Sequence, residues 1–251
     1  MSTLPIYVWA MVLAGLIGTT ATICATLWRG ALTAGLGRGN ATRVASAFAI
    51  LWGAWVLASV LLADADVYRF EPTKLVPLLP VGLIGALTVV LLLTRIPAVS
   101  RILTRPDALW RLTVPQIFRV EGVTFLLAMA LGQLPAVFAL PAGLGDIAIG
   151  VEAVFVARNL RRGVVGRSVM WFNILGLVDL VVALGVGFAA APAAVRLLSV
   201  SPSTEAISLL PLALIPATLV PLAAALHVLS LQKLRVAGER KPVAVPVGST
   251  K

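Results

Sequence analysis

A few ionisable and amide side chains lie inside long apolar runs of this sequence, and these residues are best placed for chemistry. A charged side chain within a bilayer costs on the order of 3 kcal/mol or more, so such residues usually face inward and have partners. We therefore predict one ligand or proton site. Its members are Glu121, Asp146, Glu152, Asn173, Asp179 and His227, with Arg119 at the rim.

The two aspartates are expected near the middle of the membrane. Asp146 and Asp179 lie on consecutive apolar runs joined by a short basic loop, so their helices should be antiparallel neighbours and the carboxyl groups should approach each other. Two carboxylates there cannot both ionise cheaply, so at least one is expected to hold a proton. The alternative is a packing role, with both groups hydrogen-bonded to each other or to backbone.

The other members are expected as a second layer nearer the cytoplasm. We predict that Glu121, Glu152, Asn173 and His227 meet there, and that the glutamates hold His227 protonated as a proton-linked switch. Arg119 precedes Glu121 by two residues, about 200° around an α-helix, so it should reach the lipid headgroups or a different partner. Alternatively, Arg119 and Glu121 form a near-interface pair and His227 is an ordinary satisfied core histidine.

The positions of these residues imply a membrane protein. The chain has 251 residues, of which 60% are hydrophobic and 12% charged, whereas about a quarter of the residues of a soluble domain are charged. We predict an all-α bundle of seven transmembrane helices in residues 1–232, followed by a basic tail at 233–251 that is expected to be disordered. The predicted spans are 4–28, 42–63, 75–94, 114–134, 137–157, 168–190 and 207–231.

The net charge of +10 indicates topology, because the basic residues lie between the apolar runs. Loops with several Lys and Arg residues alternate with loops that have few. Because basic loops stay in the cytoplasm, this predicts an amino terminus outside, a cytoplasmic carboxyl terminus and a multi-pass protein of the inner (plasma) membrane. The first run is read as a retained helix, since no Lys or Arg precedes it. The expected partners are membrane lipids and a small solute or proton, with oligomers allowed and no nucleic acid.

Cysteine and histidine counts limit metal and redox chemistry. With one cysteine, Cys24, and one histidine, the chain cannot build a site from several such ligands or a bis-histidine haem, so no metal and no cofactor are expected. No residue is assigned a catalytic role.

Two helices carry further patterns. Gly143, Asp146, Gly150 and Ala153 share one stripe of span five, as expected of a buried helix with close neighbours. Span seven has prolines at 211, 216 and 221, each of which removes a backbone donor, so we expect a bent helix with freed carbonyls beside a cavity. The dipeptide Pro115-Gln116 occurs once, before span four, and is given no role.

Three segments carry a resemblance: PQIFRVEGVTFLL (115–127), WFNILGLVDL (171–180) and IPATLVPLAAALHVLSLQKL (215–234). Together they resemble an uncharacterised family of bacterial seven-helix integral membrane proteins, which implies the same fold and brings no activity. Asp179 is not part of the family pattern. The matching positions are Trp171, Asn173, Gly176, Pro221, His227 and Ser230.

Three functions fit these observations. The favoured one is a carrier or small-ligand-binding protein whose polar site lies among spans four to seven. A non-catalytic scaffold or regulatory subunit would use the same residues only to hold helices together. A membrane-embedded enzyme could use a buried carboxylic acid to protonate an isoprenoid or lipid. A water-accessible cavity would favour the carrier, a solid bundle the scaffold, and a lateral apolar pocket the enzyme.

Overall fold

The computed structural model of the chain describes residues 4–70, 78–192 and 197–239, with side chains described up to 236. The described part is helical throughout, and six of its helices are long and apolar enough to cross a membrane. A seventh crossing is added if the bent pair Leu78–Leu93 and Pro97–Thr104 is one span.

The described residues form nine α-helices and three other helical turns or segments. They are α1 (Ile6–Thr33), α2 (Gly37–Asp64), α3 (Leu78–Leu93), α4 (Pro97–Thr104), α5 (Ala108–Thr113), a 3-10 segment (Val114–Gly122), α6 (Val123–Ala130), α7 (Ala136–Arg161), α8 (Arg167–Ala189), a 3-10 turn (Glu205–Ser208), a π-turn (Ile215–Leu219) and α9 (Val220–Glu239).

The last helix differs from its predicted bounds. It runs to Glu239, past the expected boundary at 232, while 240–251 lie outside the described residues and the disordered tail stays a prediction there. Two loop cations used in the charge count, Lys74 and Arg196, also lie outside the described residues.

The fourth span begins earlier than the sequence predicts. It starts at Ala108 instead of 114 and continues through the 3-10 segment into α6. Hydropathy places Arg111 in a loop, yet its side chain is buried, forms an ion pair with Asp107 one turn earlier and donates to Thr33 Oγ1 at 2.7 Å. Because the charge is neutralised locally, the helix can extend past it.

The helix pair α3 and α4 meets at an angle of 80°. Ile96 is extended, as expected for the residue before a proline, and Pro97 starts the next helix. The chain therefore turns sharply at the end of α3.

The 3-10 segment sorts its side chains differently from an α-helix. With three residues per turn, residues i and i+3 lie above one another, about 120° per residue. Gln116, Arg119 and Gly122 are consequently on one face and are buried, while Phe118 and Glu121 share another face. The side chains of Phe118 and Glu121 lie directly against Gly18 and Gly15 of α1.

The glycine stripe predicted on span five is the surface against which this segment packs. A Cβ on Gly150 would lie 2.6 Å from the backbone nitrogen of Val120, and one on Gly143 would lie 2.9 Å from the carbonyl oxygen of Gly122. The backbones of α7 and the 3-10 segment are therefore in direct contact, which fixes Asp146 beside the segment.

Span seven is irregular where its prolines lie, as predicted. The π-turn contains Pro216, and Pro221 has no N–H to donate to the carbonyl of Ala217. Trp55 of α2 supplies the missing donor, with its Nε1 2.9 Å from that oxygen. The freed carbonyl thus ties α2 to the irregular turn.

The contact between α7 and the 3-10 segment gives a stability prediction. Gly150→Ala should lower the free energy of unfolding by about 1–3 kcal/mol, because the new methyl group meets backbone that cannot move aside. Gly53→Ala is the matched control in the middle of α2, where no described atom lies within 4 Å of the added Cβ. Unfolding in mixed micelles measures both, and equal stabilities of the two variants would contradict the packing described.

Candidate functional site

Arg119 lies at the centre of a buried polar cluster formed by the 3-10 segment, α7, α8 and α9. Its Nε donates to Asp146 Oδ1 at 2.7 Å, and its Nη2 forms an ion pair with Asp179. Its Nη1 donates to the carbonyl oxygen of Gly176 at 3.2 Å. Three nitrogens of one guanidinium therefore hold three elements together.

A second chain of hydrogen bonds starts from the same nitrogen. Arg119 Nη1 lies 3.1 Å from His227 Nε2, and His227 Nδ1 lies 2.9 Å from Asn173 Oδ1. Arginine can only donate, so Nε2 must accept and the proton must be on Nδ1. Asn173 Nδ2 in turn donates to the carbonyl of Val169 at 2.7 Å. His227 is therefore a neutral imidazole of one defined tautomer.

The two aspartates, which were predicted to approach each other, both bind Arg119. Asp146 and Asp179 bind the same guanidinium, and their side chains are 15% and 14% exposed. One positive charge faces two carboxyl groups, so full ionisation leaves an excess negative charge in a buried place. A proton or a small cation would remove that excess.

The prediction that Arg119 lies at the rim is wrong. Its side chain is 7% exposed, and it lies midway along the span Ala108–Ala130. The error has two causes: the span begins six residues before the predicted start at 114, which moves Arg119 away from the interface, and 3-10 winding turns its side chain toward α7 and α8.

The predicted cytoplasmic layer does not form as a unit. Among its four members the hydrogen bond found within the described residues joins Asn173 and His227. Glu121 faces Gly15 of α1, and within the described residues no hydrogen bond or ion pair connects half-buried Glu152 to the others. The prediction that His227 is protonated is also wrong, because its neighbour is an arginine and not a glutamate.

Glu121 is a separate buried carboxyl group. Neither of its oxygens has a hydrogen-bond partner among the described residues. It lines a cavity together with Arg119 and Asp146. An unpartnered carboxylate is costly in such a place, so this group is a second candidate for holding a proton.

Sequence reasoning missed three residues that shape the cluster. Gly145 and Gly176 make room, since a Cβ on either would collide with Asp179 and His227 respectively. Gln116 is buried and donates to the carbonyl of Ala223 of α9 at 3.0 Å. The sequence pattern that could have identified Gln116 is its spacing of three residues from Arg119 and of six from Gly122. Residues with this spacing lie on one face of a 3-10 helix.

Two small cavities flank the cluster, and Asp146 lines both. Each has a volume of about 40 Å³, which admits a few water molecules at about 10–15 Å³ each. One is lined by Thr19, Gln116 and Leu226 and extends toward the end of the bundle where α9 ends. The other is lined by Leu79 and Phe188 and extends toward the opposite end, where α3 begins and α8 ends.

Comparison with known proteins identifies a family for this chain. A family model described as "Domain of unknown function (DUF8737)" matches residues 76–235, which include the whole cluster around Arg119. No curated protein and no solved structure matches the chain.

The hydrogen bonds of His227 give a spectroscopic prediction. In protein labelled with ¹⁵N-histidine and placed in bilayers, the single histidine should show a protonated Nδ1 and an unprotonated Nε2 at neutral pH. Asn173→Ala should change the Nδ1 signal. Ser230→Ala should not, because Ser230 bonds to the carbonyl of Leu226. An imidazolium spectrum would contradict the arrangement.

Proposed function

We propose that the chain, which belongs to the DUF8737 family because that family's model covers more than half of its length, is a polytopic membrane carrier that binds a proton at the cluster of Arg119, Asp146 and Asp179. The observation that carries the proposal is the position of Asp146, which lines two cavities extending toward opposite ends of the helices. A carrier requires a group that can be reached from each side in turn, and Asp146 has a small cavity on each side of it.

The charge balance of the cluster supports a proton as the species bound. The two aspartates share one arginine, so protonation of either one leaves a neutral ion pair of Arg119 with the other. The small cavities admit water and hydrated protons but no larger solute.

Arg119 provides the means of alternation. Its Nη1 is fixed by the carbonyl of Gly176 and by His227, whereas Nε and Nη2 bind the two carboxylates. A proton that binds to Asp146 neutralises this carboxylate and weakens its ion pair with Arg119. The carboxylate of Asp179 then balances the charge of the guanidinium. Loss of the proton to the other cavity restores the first pair. The proton thus passes from one cavity to the other by way of Asp146, while Arg119 stays paired with Asp179 throughout.

The topology belongs to the same proposal. Seven crossings, with an external amino terminus and a cytoplasmic carboxyl terminus in a bacterial inner membrane, are supported by the distribution of arginines along the chain. At the end where α1 and α3 finish, Arg38 lies in the first turn of α2 and Arg95 and Arg105 lie in connections, whereas Arg69 is the one basic residue in the described part of the connection after α2.

The alternatives are supported less well. An enzyme acting on an isoprenoid would need its carboxylic acid in a large apolar pocket, but Asp146 faces cavities of about 40 Å³. A scaffold needs no cavities beside its polar network. Both alternatives predict no proton movement, so one experiment distinguishes them from the carrier.

Proton flux into proteoliposomes tests the proposal. With a potassium gradient and valinomycin, a pH-sensitive dye should report flux well above that of empty vesicles. Asp146→Asn should lower this flux at least about tenfold, since the shared carboxyl group can no longer titrate. The matched control is Asp64→Asn, which removes an exposed carboxyl at the end of α2.

The proton flux must depend on the carboxyl group of Asp146. A flux equal to that of empty vesicles, or equal losses in Asp146→Asn and Asp64→Asn, would contradict the proposal. Flux that requires sodium instead of a proton gradient would also contradict it.

A further inference from the structure

A third cavity lies apart from the polar cluster and is almost wholly apolar. Its volume is about 300 Å³, within the range of sites that hold organic ligands. It is lined by α1, α2, the bend between α3 and α4, and α9, through residues that include Ile23, Phe48, Leu93 and Leu229.

The cavity exists because α2 and α3 are kept apart. α2 packs on α1 and touches the π-turn, and only 11% of its most apolar window is buried. α4 turns away from α3 by 80°, so its residues Val99 and Leu103 close the cavity at one end. In a bilayer a space open between helices is filled by hydrocarbon, because an empty apolar cavity is unfavourable.

The charged residue that lines the cavity is an arginine. Arg43 lines it, and the sequence between residues 29 and 63 contains no acidic residue. Between residues 78 and 106 there is likewise no acidic residue. Exposed Arg95 and Arg101 lie at the bend and on α4. Basic pockets between transmembrane helices are characteristic binding places for anionic lipid headgroups.

We propose that this cavity binds one acyl chain of an anionic glycerophospholipid, with the lipid phosphate held by Arg43. The apolar lining matches the chain, and the exposed guanidinium at the edge of the cavity matches the phosphate, which arginine can bind through two nitrogens. The site is separate from the Arg119 cluster and does not depend on the proposed carrier activity.

Native mass spectrometry of the full chain with an equimolar mixture of phosphatidylglycerol and phosphatidylcholine tests the proposal. The wild type should retain about five times as much phosphatidylglycerol as phosphatidylcholine, because one basic group near an anionic headgroup contributes about 1 kcal/mol to binding. Arg43→Gln should abolish this preference, and Arg43→Lys should keep most of it. Arg38→Gln is the matched control, because it removes an exposed charge from the same helix outside the cavity lining.

A second variant tests the apolar part. Ala47 lines the cavity, so Ala47→Trp should fill it and reduce retention of both lipids. Equal effects of Arg43→Gln and Arg38→Gln would overturn the proposal by showing a general surface charge effect. Unchanged retention in Ala47→Trp, or complete displacement of phosphatidylglycerol by an equimolar polyprenyl phosphate, would overturn it as well.

Discussion

The buried charge of Arg119 is the constraint on which the rest of this structure depends. A guanidinium in the middle of an apolar bundle must be neutralised and all its donors must be satisfied, or the helices around it separate. Asp146 and Asp179 supply the charge, while Gly176 and His227 supply the remaining acceptors. The arrangement of α7, α8 and α9 around the 3-10 segment is the geometry that satisfies this one side chain.

The 3-10 winding of Val114–Gly122 is what separates the acidic and basic side chains of the fourth span. Arg119 points toward α7, α8 and α9, and Glu121 points toward α1. Long 3-10 stretches are uncommon and often mark a functional hinge. Here the segment depends on glycines in two neighbouring helices, since Gly15 accommodates Glu121 and Gly150 accommodates Val120.

The sequence allowed the class of protein, most of the helix positions and five members of the polar cluster (Arg119, Asp146, Asn173, Asp179 and His227) to be predicted, because apolar length and rare embedded charges are strong signals. The partners within that set could not be predicted. An α-helical angle of 100° per residue places the Arg119 side chain on the wrong face, and a hydropathy reading starts the span at 114, after Arg111, whose charge is neutralised by Asp107. The protonation of His227 was wrong for the same reason, since its true neighbour was assigned to the rim.

The coupling free energy between Arg119 and Asp179 tests the central claim most directly. A double-mutant cycle with Arg119→Gln and Asp179→Asn, measured by unfolding in bicelles, should give at least about 2 kcal/mol, since Arg119→Gln leaves Asp179 buried without a cation and Asp179→Asn removes that penalty. The part-exposed pair of Arg69 and Glu205 is the control and should give about 0.2–1 kcal/mol. Additivity of the Arg119 and Asp179 changes within about 0.5 kcal/mol would contradict the account.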